Sequence, residues 1–253
     1  MRMFKKLNSS LRKDGIRVTV LRVYLALRAR TLWQGRYRRM LAMQSNTERF
    51  TTIYRENLWN DPESVSGAGS TLEHTQNLRA RLPRLMETHG ITPVLDAPCG
   101  DFNWMKEVLK DIRTLDYTGG DIVADLIDQN QTIYGKAGVR FEIIDITQGP
   151  LPIADLMIVR DCLFHLSFAD VAAFLATLCA SEIRYLLTTT HDVGADFNNI
   201  DIVTGNFRRI DLFSPPFSFP VQPLERIDDY IAPYPVRQMC LFEVAALKVR
   251  IPG

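Results

Sequence analysis

Between Thr71 and Met86 the apolar residues Leu72, Leu78, Leu82, Leu85 and Met86 fall at helical spacings. This predicts a helix opening at Thr71, with Pro83 as the place where it kinks or shortens. Downstream the pattern alternates. Short apolar runs at 93–97, 117–120, 139–144, 154–159 and 183–190 predict strands, and longer amphipathic or apolar stretches at 102–109, 122–134 and 168–180 predict helices between them. In the second of these helices Ile122, Leu126, Ile127 and Ile133 make the stripe. Strands separated by helices of this length imply parallel βαβ units. A closing run at 238–247 supplies one strand of a terminal antiparallel hairpin. The expected fold is therefore α/β and doubly wound: a mostly parallel, seven-stranded sheet with helices on both faces.

Ahead of the alternation, 41–58 reads as a helical connection and 59–70, WNDPESVSGAGS, as a loop. Between the last parallel strand and the hairpin, 191–229 has little helical period and many Pro, Gly and Asn residues. A long irregular segment inside a compact domain is usually functional or mobile. Three regions follow: an arm at 1–45, a helical cap or lid at 46–90, and a ligand-binding domain at 91–253.

Charge separates the arm from the rest. The 253 residues carry a formal net charge of +1, but residues 1–40 hold twelve Lys and Arg against the single acid Asp14. The remainder, with 18 basic and 28 acidic residues, stands at −10. The arm suits a basic peripheral helix on an anionic inner membrane face or an Arg-rich transit segment. The plainer use is a solvated tail that docks on its own domain or on a partner protein. No clean apolar run of about 20 residues spans a bilayer. Nucleic acid is disfavoured, because the basic charge sits on the arm and the domain body is acidic. Cys99, Cys162, Cys179 and Cys240 show no CxxC spacing, so reduced thiols in a cytoplasmic setting are expected rather than zinc or disulfides.

In doubly wound sheets ligands bind beyond the carboxyl ends of the strands. Each predicted strand here ends at or beside a carboxylate: Asp96 before Pro98-Cys99-Gly100-Asp101, then Asp121, Asp145, Asp161 after Arg160, and Asp192 after His191. An acid ending the second strand can accept both ribose hydroxyls of a nucleoside. A Gly-containing turn lets a ligand approach the backbone, and an acid ending the third strand can accept the exocyclic amine of adenine. The turn lacks GxGxxG, and Asp101 would repel a pyrophosphate. A nucleoside bearing an amino acid fits the acids better, and S-adenosylmethionine has that chemistry.

The segments VLDAPCGDF, YTGGDIVADLI, FEIIDI and LPIADLMIVRDCLFHLS resemble successive motifs of the class I S-adenosylmethionine-dependent methyltransferases, over roughly residues 90–190. Asp96 and Gly100 match the first motif, while Pro98 and Phe102 stand where it has its outer glycines. The resemblance implies a cofactor site built from Asp96, Pro98, Cys99 and Gly100 at the turn, Asp121 at the ribose, Asp145 and Ile146 at the adenine, and Ile122 and Arg160 beside them. Arg160 to His165 would lie beside the reacting methyl group. It also implies methyl transfer to a hydroxyl or amine of a small molecule, glycan or lipid-linked precursor. A non-catalytic nucleoside-binding module is the alternative.

An alcohol acceptor needs a base. His165 and His191 are the candidates, with Asp161 to orient one of them. Magnesium held by Asp161 with Asp192 or the Asn198-Asn199 pair is a lesser reading, and no metal is expected. Trp59, Glu63, Ser66 and Ser70 are expected to fold over the ligand as one substrate wall. Arg208 is expected on the other.

Overall fold

The protein is described by a computed structural model covering residues 31, 33–112, 115–194 and 196–247. Most of the basic arm, and with it the membrane and transit readings, lies outside the described residues. The chain divides into two compact units, Met1–Met43 and Gln44–Gly253. In the first, residues 33–41 are helical and the rings of Trp33 and Tyr37, one turn apart, stack with centroids at 4.9 Å.

The second unit is a seven-stranded sheet of order β3-β2-β1-β4-β5-β7-β6. Its strands are β1 (Pro93–Asp96), β2 (Asp116–Asp121), β3 (Val139–Ile143), β4 (Leu156–Val159), β5 (Tyr185–His191), β6 (Glu225–Asp228) and β7 (Arg237–Glu243). The first five are parallel, and β7 inserts antiparallel between β5 and β6. α1 (Asn46–Arg55) and α2 (Gln76–Thr88) precede the sheet, α3 (Met105–Asp111), α4 (Ala124–Tyr134) and α5 (Phe168–Ala180) connect its parallel strands, and the short α6 (Val244–Leu247) follows β7.

Side chains alternate across the sheet, as a period of two requires. Leu156 and Ile158 join Val94, Leu187 and Leu241 on one face, under Leu78, Leu82 and Leu85 of α2. Met157 and Val159 join Leu95, Leu186 and Phe242 on the other, under Val171, Phe174 and Leu178 of α5. β4, LMIV, is buried along its whole length from both sides and reads as a continuous apolar run, whereas β3 and β6 expose alternate residues. Glycines of β2 also serve packing: a Cβ on Gly119 would run into the Phe141 ring, and one on Gly120 into Ile144 and Ala97.

Several boundaries differ from the sequence expectation. The helix placed at Thr71 starts at Gln76, because the preceding residues form a 3-10 turn (Ala68–Ser70) and the Thr71 and Thr75 hydroxyls donate back to the carbonyls of Ala68 and Thr71. Pro83 lies inside α2, and the helix continues past it. The helix placed at Phe102 starts at Met105, since Phe102 takes a left-handed backbone at φ 58° to close the turn. Ile133 is 57% exposed and belongs to no core stripe. The closing apolar run changes structure at Val244, where strand gives way to a helical turn.

Candidate functional site

Strand order reverses between β1 and β4, so their connections leave in opposite directions and open a crevice at the carboxyl ends. A cavity of ≈ 1040 Å³, its open mouth included, occupies this place. It is lined after β1 by Pro98, Cys99 and Gly100, after β2 by Asp121, Ile122 and Val123, and after β3 by Ile144, Asp145, Ile146 and Thr147. After β4 come Arg160, Asp161, Cys162, His165 and Leu166. Trp59, Ser66 and Ser70 close it from the lid. Sequence reasoning missed Asn46, Phe50 and Tyr54 of α1 and Val65 of the lid, all of which line it. A helix far ahead in sequence gives no local signal that it will cover a strand end.

The turn after β1 offers no free donors to a phosphate. The N–H of Cys99 donates to Gly120 O at 2.8 Å, that of Gly100 to Asp121 Oδ2 at 3.2 Å, and that of Asp101 to Ser66 Oγ at 3.0 Å. Phe102 N–H returns to Cys99 O. Asp101 itself is turned to the lid, accepting from Ser64 Oγ and Val65 N–H at 3.0 Å each. Gly100 is required at φ 55°, where a Cβ would strike Ser66. Asp96 corrects the expectation that it faces a ligand. It is 1% exposed beneath the turn, does not line the cavity, and accepts from the Tyr117 hydroxyl at 2.8 Å. Burial pushes its pKa up to about 7. Cys99 is also buried, and its thiol is pushed well above its ordinary range.

Asp121 ends β2 on the cavity wall. Besides Gly100 N–H it accepts from Val123 N–H at 3.1 Å. Burial raises its pKa to about 6 against the pull of those N–H groups. Asp145 accepts from the N–H and hydroxyl of Thr147 and from Gln148 Nε2, so it caps its own turn while lining the cavity.

At the end of β4 the side chains form a buried charge lattice. Arg160 donates through Nε and its second terminal nitrogen to both oxygens of Asp229 (3.0 and 3.1 Å), and also to Gly69 O at 2.8 Å. Arg237, from β7, donates to Asp161 Oδ2 at 2.8 Å and to His74 Nε2 at 3.1 Å. Burial alone would raise the Asp161 pKa, but Arg160 and Arg237 hold it below its usual value. His74 is held neutral by burial and by Arg237, its pKa lowered to about 4. Asp161 stands at φ 51°, a left-handed backbone that aims its carboxylate at the Arg237 fork. Arg160 also lies over the Trp104 ring at 5.6 Å, and Trp104 lines the cavity with it.

The two candidate bases part company. His165, half-buried, lies 2.7 Å through Nδ1 from Asn206 O. A carbonyl only accepts, so Nδ1 carries the hydrogen and Nε2 keeps its lone pair. Burial lowers its pKa, so the ring is neutral. His191 is excluded as a base. It is 3% exposed, is absent from the cavity wall, and its Nδ1 accepts Ile210 N–H at 3.2 Å. Burial, then the charge of Arg237, lowers its pKa to about 4.

Two substrate-wall expectations are also corrected. Glu63 lies outside the cavity and pins the lid, accepting from Leu72 N–H at 2.7 Å and Asn103 Nδ2 at 2.8 Å. Arg208 is 3% exposed and points inward to the carbonyls of Leu166 and Leu163. The structure brings no magnesium set together. Asn199 is spent on Asp211 and Pro215, and among the described residues no group of three or more His, Cys, Asp or Glu is placed to hold a metal. No helix among the described residues is long and apolar enough to cross a membrane.

No family model matches the sequence, nor does any of the curated proteins. Solved structures do match. Human N-acetylserotonin methyltransferase in complex with SAM aligns at 15% identity and a TM-score of 0.51, over 77% of this chain and 58% of that one. PigF with SAH aligns at 12% identity and a TM-score of 0.50, over 68% of this chain and 56% of that one. The chain thus spans under three fifths of the length of either neighbour, and what they share is the fold.

Proposed function

We propose that this chain, which carries the Rossmann-like fold of class I methyltransferases, is an S-adenosylmethionine-dependent enzyme. It transfers a methyl group to a hydroxyl or amine of a small molecule, glycan or lipid-linked precursor. The observation that carries this reading is the donor set at the strand ends. Every N–H of the turn 99–102 is engaged within the protein, and among the described residues the one Lys or Arg on the cavity wall, Arg160, is already held by Asp229. At that turn a pyrophosphate would find no free backbone N–H and, among the described residues, no uncommitted Lys or Arg. The carboxylate of Asp121, which no cation among the described residues holds, set among Ile122, Val123, Ile144 and Ile146, suits an uncharged nucleoside with cationic substituents. The residues present therefore fit S-adenosylmethionine.

Asp121 is the group for the ribose, and Ile122 and Ile146 form the apolar slot for the base. When bound, the cofactor would supply an activated methyl carbon with its sulfur as leaving group, to be taken by the acceptor's lone pair. The protein's share is to hold the acceptor in line and to exclude water. Neutral His165 takes the acceptor proton on Nε2, while Asn206 O steadies the imidazolium through Nδ1–H.

Calorimetric titration with S-adenosylmethionine, S-adenosylhomocysteine and NAD in parallel tests the reading. The first two bind and NAD does not. In His165→Ala, turnover falls by about 10²–10⁴ with cofactor affinity kept. Tight NAD binding, or cofactor binding with no turnover on any hydroxyl or amine, would replace the enzyme by an oxidoreductase or a binding module respectively.

A further inference from the structure

We infer that the acceptor is an uncharged aromatic alcohol whose ring packs against Trp59 and Phe207 and whose hydroxyl meets Nε2 of His165. This rests on the methyl-transfer reading and narrows its substrate class. The His165 ring lies among aromatic rings: Trp59 at 5.4 Å between centroids, Phe164 at 4.6 Å and Phe207 at 6.0 Å. Phe164 is buried, whereas Phe207, which stands beside His165 outside the cavity lining, exposes half its surface. An exposed aromatic beside a base is apolar area that a ligand ring can cover, and aromatic pairs prefer such offset or edge contacts.

Phe207 is fixed where it is. Its loop is stitched to the turn that carries His165 by Gly205 N–H to His165 O at 2.8 Å, Arg208 N–H to Phe164 O at 3.1 Å, and Ser167 N–H to Thr204 Oγ1 at 2.8 Å. The inward-facing Arg208 belongs to the same stitching. The aromatic surface is therefore built into the fold.

Charge narrows the ligand further. Arg160 and Arg237 are committed to Asp229 and Asp161, and Arg209 lies over Phe197 at 5.4 Å. Among the described residues no uncommitted Lys or Arg stands on the cavity wall, so a phosphate or carboxylate on the acceptor would be desolvated beside His165 without a lining cation to meet it. A sugar ring can lay its C–H face on Trp59 or Phe207, but of its several hydroxyls only one would meet a polar partner, Nε2 of His165, among these rings. One hydroxyl on an aromatic ring matches one acceptor nitrogen among rings.

The test is a fluorescence titration of the full chain with 2-naphthol, with and without S-adenosylhomocysteine, beside methyl α-glucoside as competitor. Native protein is compared with Trp59→Leu and Phe207→Ser, and S-adenosylhomocysteine affinity is read separately by calorimetry. Naphthol should bind, each substitution should weaken it at least about tenfold, the glucoside should not compete, and S-adenosylhomocysteine affinity should stay unchanged in Phe207→Ser, which lies outside the cavity lining. Phe207, half exposed, is the position whose change disturbs the fold least. Naphthol binding indifferent to both substitutions, no naphthol binding by protein that takes S-adenosylhomocysteine, or displacement by the glucoside would overturn the inference. Naphthol binding that needs Trp59 and Phe207 in protein that ignores S-adenosylhomocysteine would uphold the aromatic subsite and sink the methyl-transfer reading instead.

Discussion

At the scale of single residues, Asp96 and Asp121 show how two acids at strand ends take different work. Both were legible as strand-ending carboxylates, but only Asp121 lines the cavity, while Asp96 lies under the turn against Tyr117. Which side of a turn an acid faces depends on the neighbouring strand, and the pattern of β1 alone does not contain it. The folded pKa of Asp96, about 7, lies above its ordinary 3.8. Between those values the folded chain holds a proton that the unfolded chain has released, so this group stabilises the fold at low pH and destabilises it as pH rises. Asp96→Asn, which cannot ionise, should gain stability relative to native as pH goes from about 4.5 to about 8, by at most about 1.4 kcal/mol per pH unit. Urea denaturation at both ends of that range checks it; an equal difference at both ends would show an ordinary carboxyl. Asp121→Ala should weaken S-adenosylmethionine binding by about 1.5–3 kcal/mol, the worth of a hydrogen bond to a charged group, in calorimetry on protein whose melting is still cooperative. Unchanged affinity would move the ribose elsewhere.

At the scale of elements, α5 was read from its apolar run with both ends in place, because a Ser167 cap accepting Asp170 N–H opens it and Ser181 closes it. The start of α3 was misread, since nothing local announces that Phe102 will turn left-handed to fill a ring cluster with Tyr117, Tyr134 and Phe141. The charge lattice was half legible. Arg160 and Asp161 stood out at the end of β4, but Asp229 and Arg237 come from the irregular tail and the closing hairpin. The lattice ties the lid to the sheet, because Arg160 holds Gly69 O and a Cβ on Gly69 would run into Asp161. Removing one member of a buried ion network leaves its partner uncompensated. Arg237→Met should therefore cost about 3–5 kcal/mol in urea denaturation, whereas a loss below about 1 kcal/mol would mark the network as solvent-screened.

For the whole molecule, lid and strand ends share one cavity, so a bound nucleoside bridges pieces that unfolding separates. S-adenosylhomocysteine at about 100 times its Kd should add about 2.7 kcal/mol of stability and raise the melting temperature by about 5–10 °C for a chain of this size. No shift at that ratio would mean that the ligand binds outside this cavity.

The sequence alone determined the doubly wound architecture and the row of carboxylates at the strand ends. Hydrophobic period and chain length act locally, and a parallel sheet admits few ways to connect such elements. Only the tertiary structure decided that His165 stands at the cavity while His191 is a buried acceptor of Ile210 N–H, that Glu63 and Arg208 brace loops, and that α1 walls the site. Those assignments depend on contacts between segments tens of residues apart. A side chain's role there is set by which partner reaches it first, and no spacing along the chain records that.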